Sequence, residues 1–593
     1  MARPSPASQP RPGALVARVL PDVAGIDKEF DYLIPEGAAG SVEVGTQVRV
    51  DLSGRRVGGW VTAVGVEAAA GLALRPIAKV RGFGPDRSTV DLAGWAAWRW
   101  AGRRRSLLLT ASAGFAVPRL PPAALKAPAR PWPSELVEQI GDVGADRPRL
   151  LRLPPAADPT EVVAELAQRG PTLVVVPTVA RAAVLAGRLR RAGGDVALVP
   201  EGWPQARAGA AVVIGSRACA WAPCPGMAAA VVLDGHEEGL TQEQTPTWGA
   251  VAVVVERARR AGVPCVIISS CPTPELLAIG SLRLVARSVE RRGWAAVEVI
   301  DRRGDDPRLG LYSERLVALI RAEPRAACVL NRTGRARLLA CTACGSVASC
   351  ERCGASLAQQ KGGEIPIPLE CSRCGLVRPQ VCAECHSTRL RLLRIGVTRA
   401  REELELLAGR PVAEVTGVTG AIPDAELLVG TEAVLHRLGP ADGVTAVAFV
   451  DFDQELLAGR VRALDEALAL VALASRIVKG RVGRVLVQTR VPDHPVLRAA
   501  VVADPAVLSS HELDVRKELR LPPFASIALV SGPAASEYAN GLKGLAGAPV
   551  DLLGPDRDQW LVKAADGATL ADALASVPRP AGRLRVAVEP GRL

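Results

Sequence analysis

Eight of the thirteen cysteines lie between Cys341 and Cys385, and this cluster constrains the fold more than any other feature of the sequence. A CxxC turn presents two thiolates to one Zn²⁺, and a structural zinc site takes four such ligands. Glycines follow three of the four turns, where a chain that curls around a metal needs conformational freedom. The pattern therefore predicts two structural Zn²⁺ ions, with the CxxC pairs as ligands: Cys341/Cys344, Cys350/Cys353, Cys371/Cys374 and Cys382/Cys385.

The spacing alone leaves open which pairs share a metal. A nested arrangement would place the outer pairs around one zinc and the inner pairs around the other. A redox-active CxxC is usually single, which disfavours that alternative. His386 follows the last pair and is interpreted as a bystander. The other five cysteines stand singly in apolar stretches and are predicted to be buried: Cys219, Cys224, Cys265, Cys271 and Cys328.

The chain of 593 residues carries a formal net charge of +12, which favours a polyanionic partner, nucleic acid first. Among its 73 basic residues we count 65 Arg and 8 Lys, a skew that a GC-rich genome explains. Between residues 332 and 401, 12 basic and 4 acidic side chains give a net charge of +8. Eight thiolates with two Zn²⁺ subtract four charges and leave +4. This excess suits DNA contact, or it compensates the anionic metal sites, and both interpretations stay open.

Membrane and secretory signals are missing from the sequence. No uncharged apolar run reaches the roughly 18 residues of a transmembrane helix. The first 13 residues, MARPSPASQPRPG, lack the apolar stretch of a signal peptide and are interpreted as a short disordered lead. We therefore expect a cytoplasmic protein, in which structural disulfides are rare.

The N-terminal part of the chain predicts a small β domain. Residues 14–82 contain the short β-runs ALVARVL, EFDYLIP, QVRVDL and GGWVTAV, separated by turns. A helix is predicted from Ser88 to Arg105, with Ser88 as its N-cap. Residues 117–148 are rich in Pro and Ala and predict a linker with one short helix. The helix's tryptophans are interpreted as packing residues rather than base-stacking platforms: Trp95, Trp98 and Trp100.

Two series of buried β-runs follow, each with helical stretches between the runs. The first contains TLVVVP, VALVP, AAVVIGS, AAVVLD and CVIISS, and the second contains CVLN, ELLVGT, AVAFVD and VLVQT. Continuous apolar runs of this kind are typical of parallel sheets covered by helices on both faces. The cysteine cluster would be an insertion into the second series. A tail from about residue 496 carries a Pro-rich LPPF hinge and two further β-runs.

The stretch VLNRTGRARLLACTACGSVASCERC, followed by LECSRCGLVRPQVCAEC, resembles the bacterial PriA family, primosomal proteins that restart replication at abandoned forks. FDYLIPEG with VEVGTQVRV resembles the family's N-terminal domain, which binds DNA 3′ ends. VVIGSRACAWAPCPGMAAAVVLD resembles the approach to its Walker B strand, and LLVGTEAVLH, VAFVDFDQEL and VLVQTRVPDHPVL resemble its second helicase lobe. RKELRLPPFASIALV resembles the start of its C-terminal DNA-binding domain.

This resemblance implies a multidomain α/β protein. A small N-terminal β domain would precede two tandem, degenerate RecA-like helicase lobes, with the two-zinc insertion in the second lobe, and a C-terminal α+β domain would follow. The family's winged helix would be missing or vestigial in the linker. The implied boundaries are 14–116 for the N-terminal domain, 117–148 for the linker, 149–290 and 291–495 for the lobes, 338–390 for the insertion, and 496–593 for the C-terminal domain.

The resemblance fails where the family hydrolyses ATP. A Walker A loop needs a Gly-rich turn and a lysine, but no lysine here follows a glycine, and the corresponding segment reads LRLPPAADPTEVV. Asp234 remains as a Walker B remnant, but Gly235 replaces the next acid. In an ungapped reading, Ser475 and Val478 replace both arginines of the family's G-R-x-G-R box. We therefore expect no catalytic residues, no ATPase and no helicase activity, and the binding of ATP is in doubt.

By motif position, the family's pocket for a 3′-terminal nucleotide falls on Phe30, Asp31, Gly54 and Arg75. Phe30 can stack on a base, and Asp31 can accept a hydrogen bond from a base edge or the 3′-hydroxyl. Gly54 would let the backbone approach the DNA closely, and Arg75 can reach a phosphate. Without the resemblance, a core phenylalanine and ordinary turn residues would explain the same pattern.

The leading hypothesis is thus a non-motor replication restart factor that binds forked and single-stranded DNA and helps to reload the replicative helicase. The implied protein partners are the replicative helicase, its loader and the single-stranded DNA-binding protein. Two alternatives stay open. One is an active ATP-dependent 3′-to-5′ DNA helicase with an atypical nucleotide site. The other is a zinc-scaffolded interaction protein without DNA binding.

Overall fold

The computed structural model describes residues 14–67, 73–129, 147–305, 311–330, 339–359, 367–371, 373–392, 397–415 and 421–591 without 546, 548 and 557. The expected lead over residues 1–13 lies outside the described residues. The predicted linker is described only over residues 117–129 and 147–148, which contain no helix, so the predicted short helix of the linker is not tested. The chain divides into two compact units. Unit 1 comprises residues 1–149, 159–268 and 524–591, and unit 2 comprises 150–158, 269–523 and 592–593.

The N-terminal β domain, in unit 1, is an antiparallel sheet whose first four strands match the four predicted runs. Alternating apolar residues of these strands, with Val19, Val48 and Val61 fully buried, form its core. The sequence analysis missed the fifth strand, because KVRG is short and half charged. The strands are β1 (Val16–Pro21), β2 (Phe30–Leu33), β3 (Gln47–Leu52), β4 (Arg55–Val64) and β5 (Lys79–Gly82), in the order β2-β1-β4-β3-β5.

The predicted helix from Ser88 to Arg105 is wrong in its bounds, because two helices occur here: α1 (Arg87–Arg99) and α2 (Arg104–Ala111). Asp86, not Ser88, is the N-cap, and its carboxylate accepts a hydrogen bond from the Thr89 amide at 2.8 Å. The chain turns between the helices where Ala101 has a positive φ of 43°. The packing interpretation of the tryptophans is confirmed: Trp100 is 1% exposed, and Trp98 donates to Asp572 at 2.9 Å.

The first predicted series forms a parallel sheet, with the strand order β11-β10-β7-β9-β8 in unit 1. These strands match the five predicted runs, and their residues are almost all buried because helices cover the sheet. The elements of this region are β6 (Arg149–Arg152), α3 (Thr160–Ala167), β7 (Thr172–Val175), α4 (Val179–Arg191), β8 (Val196–Leu198), α5 (Trp203–Ala208), β9 (Val212–Gly215), β10 (Ala229–Val232), α6 (Ala250–Ala261) and β11 (Cys265–Ser269).

Unit 2 contains a second parallel sheet, in the order β13-β23-β22-β14-β21-β20. Four of its strands match the second predicted series, while β13 and β20 were not singled out. The elements from residue 274 are α7 (Pro274–Ile279), β12 (Ser281–Leu284), α8 (Arg287–Gly293), β13 (Ala296–Asp301), α9 (Glu314–Ala322), β14 (Ala326–Leu330), β15 (Leu339–Cys341), β16 (Leu357–Gln359), β17 (Leu369–Cys371), β18 (Val377–Arg378), β19 (Leu390–Leu392), α10 (Val397–Ala408), β20 (Val412–Val415), β21 (Leu427–Gly430), α11 (Ala433–Arg437), β22 (Ala446–Asp451), α12 (Asp453–Leu456), α13 (Ala463–Ile477), β23 (Arg484–Thr489), α14 (Pro495–Val502) and α15 (Ala506–Glu518).

The end of the chain returns to unit 1 as a four-stranded antiparallel sheet, where two β-runs had been expected. Its elements are β24 (Ser526–Ser531), α16 (Ala535–Lys543), β25 (Val550–Asp556), β26 (Gln559–Ala564), α17 (Gly567–Ser576) and β27 (Arg585–Val588). The mixed α/β architecture with parallel sheets is confirmed, and the domain boundaries inferred from the resemblance stay a prediction. Within the described residues, no helix is long and apolar enough to cross a membrane.

Candidate DNA-end pocket and metal centres

The four residues proposed for the DNA-end pocket lie on three segments of the N-terminal domain. Phe30 and Asp31 begin β2, Gly54 lies in the turn between β3 and β4, and Arg75 lies in the segment before β5. Ser53 and Gly54 have φ values of 50° and 79°, so the two-residue turn requires left-handed backbone. Glycine meets that requirement without strain, which explains its place in this tight turn.

Hydrogen bonds across the ends of the sheet bring these segments together. The amide of Leu33 donates to the carbonyl of Arg75 at 3.0 Å, so the segment before β5 runs beside β2. The hydroxyl of Tyr32 donates to the carbonyl of Asp51 at 3.3 Å, which links β2 to the end of β3. Burial raises the pKa of Tyr32, and the nearby positive charge of Arg75 opposes that shift. The buried Tyr32 thus links the segments that carry the proposed residues.

Two basic side chains that the sequence analysis did not identify lie beside Phe30 and Asp31. Arg18 faces Asp31 across the β1–β2 pair, with its Nε 2.9 Å from one carboxylate oxygen. Lys28 lies with its Nζ 5.7 Å from the centroid of the partly exposed Phe30 ring. The Nη1 atom of Arg75 is buried and has no hydrogen-bond partner within the described residues. An aromatic surface, a fixed carboxylate and an under-bonded guanidinium are groups that can bind a base, a hydroxyl and a phosphate.

The eight clustered cysteines form two groups of four in unit 2. In each group the sulfur atoms lie within 4.8 Å of one another, and the shortest cross-pair distances are 3.5 Å. A tetrahedral Zn²⁺ with bonds of about 2.3 Å places its sulfur ligands about 3.8 Å apart, so each group fits one such ion. The arrangement is the nested one. Cys341, Cys344, Cys382 and Cys385 form the outer group, and Cys350, Cys353, Cys371 and Cys374 form the inner group.

Each CxxC turn closes in the same way. The glycines after the first three turns have φ values of 72–76°, and their amides donate to the carbonyl of the first cysteine. His386 takes the corresponding place in the fourth turn, with a φ of 58° and an amide bond of 3.1 Å to Cys382. It is exposed, and its role as a bystander to the ligand set stays a prediction. The five single cysteines are all buried, as predicted.

Hydrogen bonds within the inner group favour the thiolate of Cys371. A hydrogen bond from the Cys353 thiol lowers the pKa of Cys371 to about 5, although burial raises it. The backbone amides of Cys374 and Arg373 lower the pKa further by hydrogen bonding. The Arg373 side chain leaves this turn and lies 3.1 Å from a carboxylate oxygen of Glu512 on α15. The inner turn is thereby linked to a buried carboxylate on this helix of unit 2.

In unit 2, the segment that the resemblance places at the family's phosphate loop is occupied by contacts with other residues of the protein. Pro154 packs against Gly293 so closely that a Cβ added at Gly293 would overlap the proline ring. The amide of Ala156 donates to the carbonyl of Gly293 at 3.1 Å, which uses one of the few amides that this segment retains. Arg476 donates from its Nε to the carbonyl of Pro155 at 3.0 Å.

The other residues of the motor motifs are also engaged within the protein. Asp234, in unit 1, is 3% exposed and forms an ion pair with Arg181 of α4. The hydroxyl of Ser475 donates to the carbonyl of Val471 at 2.9 Å, within α13. Neither residue presents an unused charge or donor to a phosphate.

These features define a mixed α/β protein with a small N-terminal β domain and two four-cysteine groups that could each hold a metal ion. A family model described as the 3′DNA-binding domain (3′BD) of PriA matches residues 18–111. This match covers the N-terminal sheet, apart from the first two residues of β1, and both following helices.

Three curated relatives agree with it. The replication restart protein PriA of Bacillus subtilis is 26% identical over 443 residues, which are 66% of this chain and 54% of that protein. PriA of Synechocystis is 26% identical over 60% of this chain and 48% of that protein. The probable replication restart protein PriA of Mycobacterium tuberculosis (strain CDC 1551) is 28% identical over 87% of this chain and 86% of that protein.

The chain spans about half the length of the first two relatives and most of the third. These matches confirm the resemblance to the PriA family. The N-terminal sheet corresponds to that family's 3′-DNA-binding domain.

Proposed function

We propose that the protein recognises branched DNA at abandoned replication forks through the 3′ end of the leading strand. It would then help to reload the replicative helicase without a motor of its own. The single observation that carries this proposal is the match of residues 18–111 to the family model of a 3′-DNA-binding domain. The replicative helicase, its loader and the single-stranded DNA-binding protein are proposed as partners by family analogy.

The absence of a motor is supported by the engaged nucleotide segment. Phosphoryl transfer needs a loop of amide donors, a lysine, a metal-binding acid and an arginine that stabilises the transition state. Here Pro154 of the loop segment packs on Gly293. Asp234 pairs with Arg181, and the Ser475 hydroxyl donates a hydrogen bond within its own helix. Losing these groups together removes both the positioning and the electrostatic stabilisation on which the reaction depends. We therefore assign the α/β sheets a scaffolding role.

The two four-cysteine groups are proposed as structural zinc sites. Their ligand sets are closed, since four thiolates leave no position for a water or a substrate. The bound ions would hold together the short strands β15–β19, which have two or three residues each and cannot be stable alone. Zinc thus contributes to folding and not to chemistry.

The end-recognition proposal is tested with two forks that differ only at the leading-strand 3′ end, one with a hydroxyl and one with a phosphate. A terminal phosphate adds bulk and about −1.5 to −2 charges beside Asp31, so we expect roughly tenfold or greater weakening, measured by fluorescence anisotropy. Arg75→Ala should weaken binding to the hydroxyl fork and reduce the slope of log K against log salt by about 0.7–0.9.

Arg259→Ala is the matched control, because that side chain is 65% exposed and lies on α6 in the parallel sheet region. It removes the same charge and should leave both affinities within a factor of two. Equal binding of the two forks, with Arg75→Ala indistinguishable from Arg259→Ala, would overturn the proposal.

A further inference from the structure

We propose that the DNA strand ending in the pocket continues along the outer face of the N-terminal sheet, over a row of basic side chains, to a second base-binding cavity beside Phe115. The inference rests on the proposed 3′-end function and extends it. Its occupant is single-stranded DNA, identified by charge and by an aromatic surface. Duplex DNA and protein are the competing occupants.

The strand register fixes which side chains share the outer face. Val48 and Val80 lie opposite each other, and both pack in the domain core. Because side chains alternate along a strand, the next pair, Arg49 and Lys79, projects from the other face. Arg81 lies at the register shift after Val80 and lines a cavity together with Gln47, two residues before Arg49. A row of cations therefore follows β3 and β5.

These cations lack acidic partners. Arg49 and Lys79 are exposed, Arg81 is half-buried, and none of the three forms an ion pair with any residue that the structure describes. Arg56 beside them does pair with Asp51, at 3.4 Å. Unpaired positive charges gathered on one face of a domain attract a polyanion and supply most of the sequence-independent affinity for nucleic acid.

The row leads to a cavity of about 250 Å³ between the sheet and the segment after α2. Trp60 lies opposite Gln47 in the sheet, and its Nε1 donates to the Ser112 hydroxyl at 2.8 Å, which fixes one wall. Phe115 at the mouth is 50% exposed, an unusual state for a phenylalanine in a folded domain. A half-exposed ring beside an arginine suits a stacked base. Gln47, Trp60, Arg81, Leu109 and Phe115 line the cavity, and Asp22, which also lines it, has its charge paired with Arg105 at 2.7 Å.

The distance between the two sites suits a short strand. The sheet runs from the Leu52–Arg55 pair at the Gly54 turn to the Gln47–Trp60 pair at the cavity. Those five steps cover about 17 Å at roughly 3.4 Å per residue. At about 3.4 Å per stacked nucleotide, the same span holds about five nucleotides. A strand whose terminal nucleotide is in the pocket would thus place a base at Phe115 about five positions upstream.

Oligo(dT) strands of two to twelve nucleotides, each with a 3′-hydroxyl, test this path on the full-length protein by fluorescence anisotropy. We expect affinity to rise until the strand has about six nucleotides and then to level off. Phe115→Ala should lower the affinity for the six-nucleotide strand roughly tenfold, which is the typical effect of losing one stacked base. Arg81→Ala should reduce the slope of log K against log salt for the same strand by about 0.7. Neither variant should change binding of the dinucleotide.

Gly114→Leu tests the cavity without deleting a contact. A Cβ at Gly114 meets no atom within 4 Å, so leucine can enter the open space and block the site. It should weaken the binding of the six-nucleotide strand about as much as Phe115→Ala does, roughly tenfold. Gly94→Leu is the matched control, because a Cβ there is equally unhindered but lies on α1. Thermal unfolding of each variant checks that the domain remains folded.

The outcomes separate this inference from the function on which it rests. If the 3′-hydroxyl preference holds but affinity does not depend on length or on Phe115, the path is refuted and the end pocket stands. If Arg81→Ala and Phe115→Ala weaken long strands while the 3′ end makes no difference, the path stands and the end-recognition proposal fails. If the variants weaken only duplex binding, or leave all DNA binding unchanged, the face serves duplex DNA or protein and the inference is wrong.

Discussion

Replacing Cys371 with serine is expected to remove one of two bound zinc ions and to unfold the inner half of the cysteine segment. The inner group lies among short strands whose small core includes Leu357 and Leu369, both fully buried. Structural zinc supplies about 10–16 kcal/mol in isolated zinc-binding domains, far more than such strands can contribute. Serine is a poor zinc ligand, so the remaining three thiolates should lose the ion.

The measurement is the zinc content of protein purified without added metal, together with a count of reactive thiols. About two zinc ions per chain are expected for the wild type and about one for Cys371→Ser. Cys328→Ser is the control, because Cys328 is fully buried in β14 and lies outside both groups. It should retain both ions. A wild-type value near zero with eight reactive thiols would refute the metal assignment, as would an unchanged zinc content in Cys371→Ser.

Replacing Arg516 with alanine is expected to destabilise unit 2 by about 3–5 kcal/mol, because removing one partner of a buried ion pair leaves the other charge uncompensated. Arg516 is fully buried on α15. Its Nη1 lies 3.0 Å from Glu275, its Nε lies 3.1 Å from Glu512, and its Nη2 pairs with Asp465. Burial lowers the pKa of Arg516, but these three carboxylates raise it well above its ordinary value.

Thermal unfolding followed by circular dichroism or calorimetry measures this effect. A loss of about 3–5 kcal/mol corresponds to a fall in Tm of about 6–20 °C for a unit of this size. Arg259→Ala again serves as the control and should shift Tm by less than about 2 °C. A fall in Tm of less than about 2 °C for Arg516→Ala would contradict the structural role of Arg516 and its three carboxylate partners.

The two predictions are coupled through Glu512. Its carboxylate accepts hydrogen bonds both from Arg516 and from Arg373, which lies between the inner metal ligands Cys371 and Cys374. Glu512 is fully buried, so losing either arginine leaves it under-compensated. The destabilisation caused by losing the inner metal and by removing Arg516 should therefore not be additive.

Local patterns predicted the elements that periodicity or spacing defines. The continuous apolar runs gave the strands of both parallel sheets, because strands buried on both faces have no polar positions to obscure them. The CxxC spacing predicted the two metal groups, because the ligands of each turn are neighbours in sequence. The helix start was missed by two residues, since Asp86 and Ser88 are both good N-caps and only the backbone decides between them.

Contacts between segments distant in sequence could not be predicted in this way. The Arg18–Asp31 pair depends on the register of β1 and β2, which no local pattern sets. The cavity beside Phe115 requires the packing of α2 against the sheet. The packing of Pro154 on Gly293 joins segments about 140 residues apart, so the sequence showed a missing phosphate loop but not what fills its place.

Nucleotide binding by the purified protein tests the central claim, a fork-binding protein without a motor, most directly. Isothermal titration with ATP and Mg²⁺, in the presence of forked DNA, measures it. With Pro154 packed on Gly293 and Arg476 bound to the carbonyl of Pro155, we expect no saturable binding up to millimolar ATP and no ATP hydrolysis. A submicromolar affinity for ATP, or DNA-stimulated hydrolysis, would contradict the account and favour an active helicase with an atypical nucleotide site.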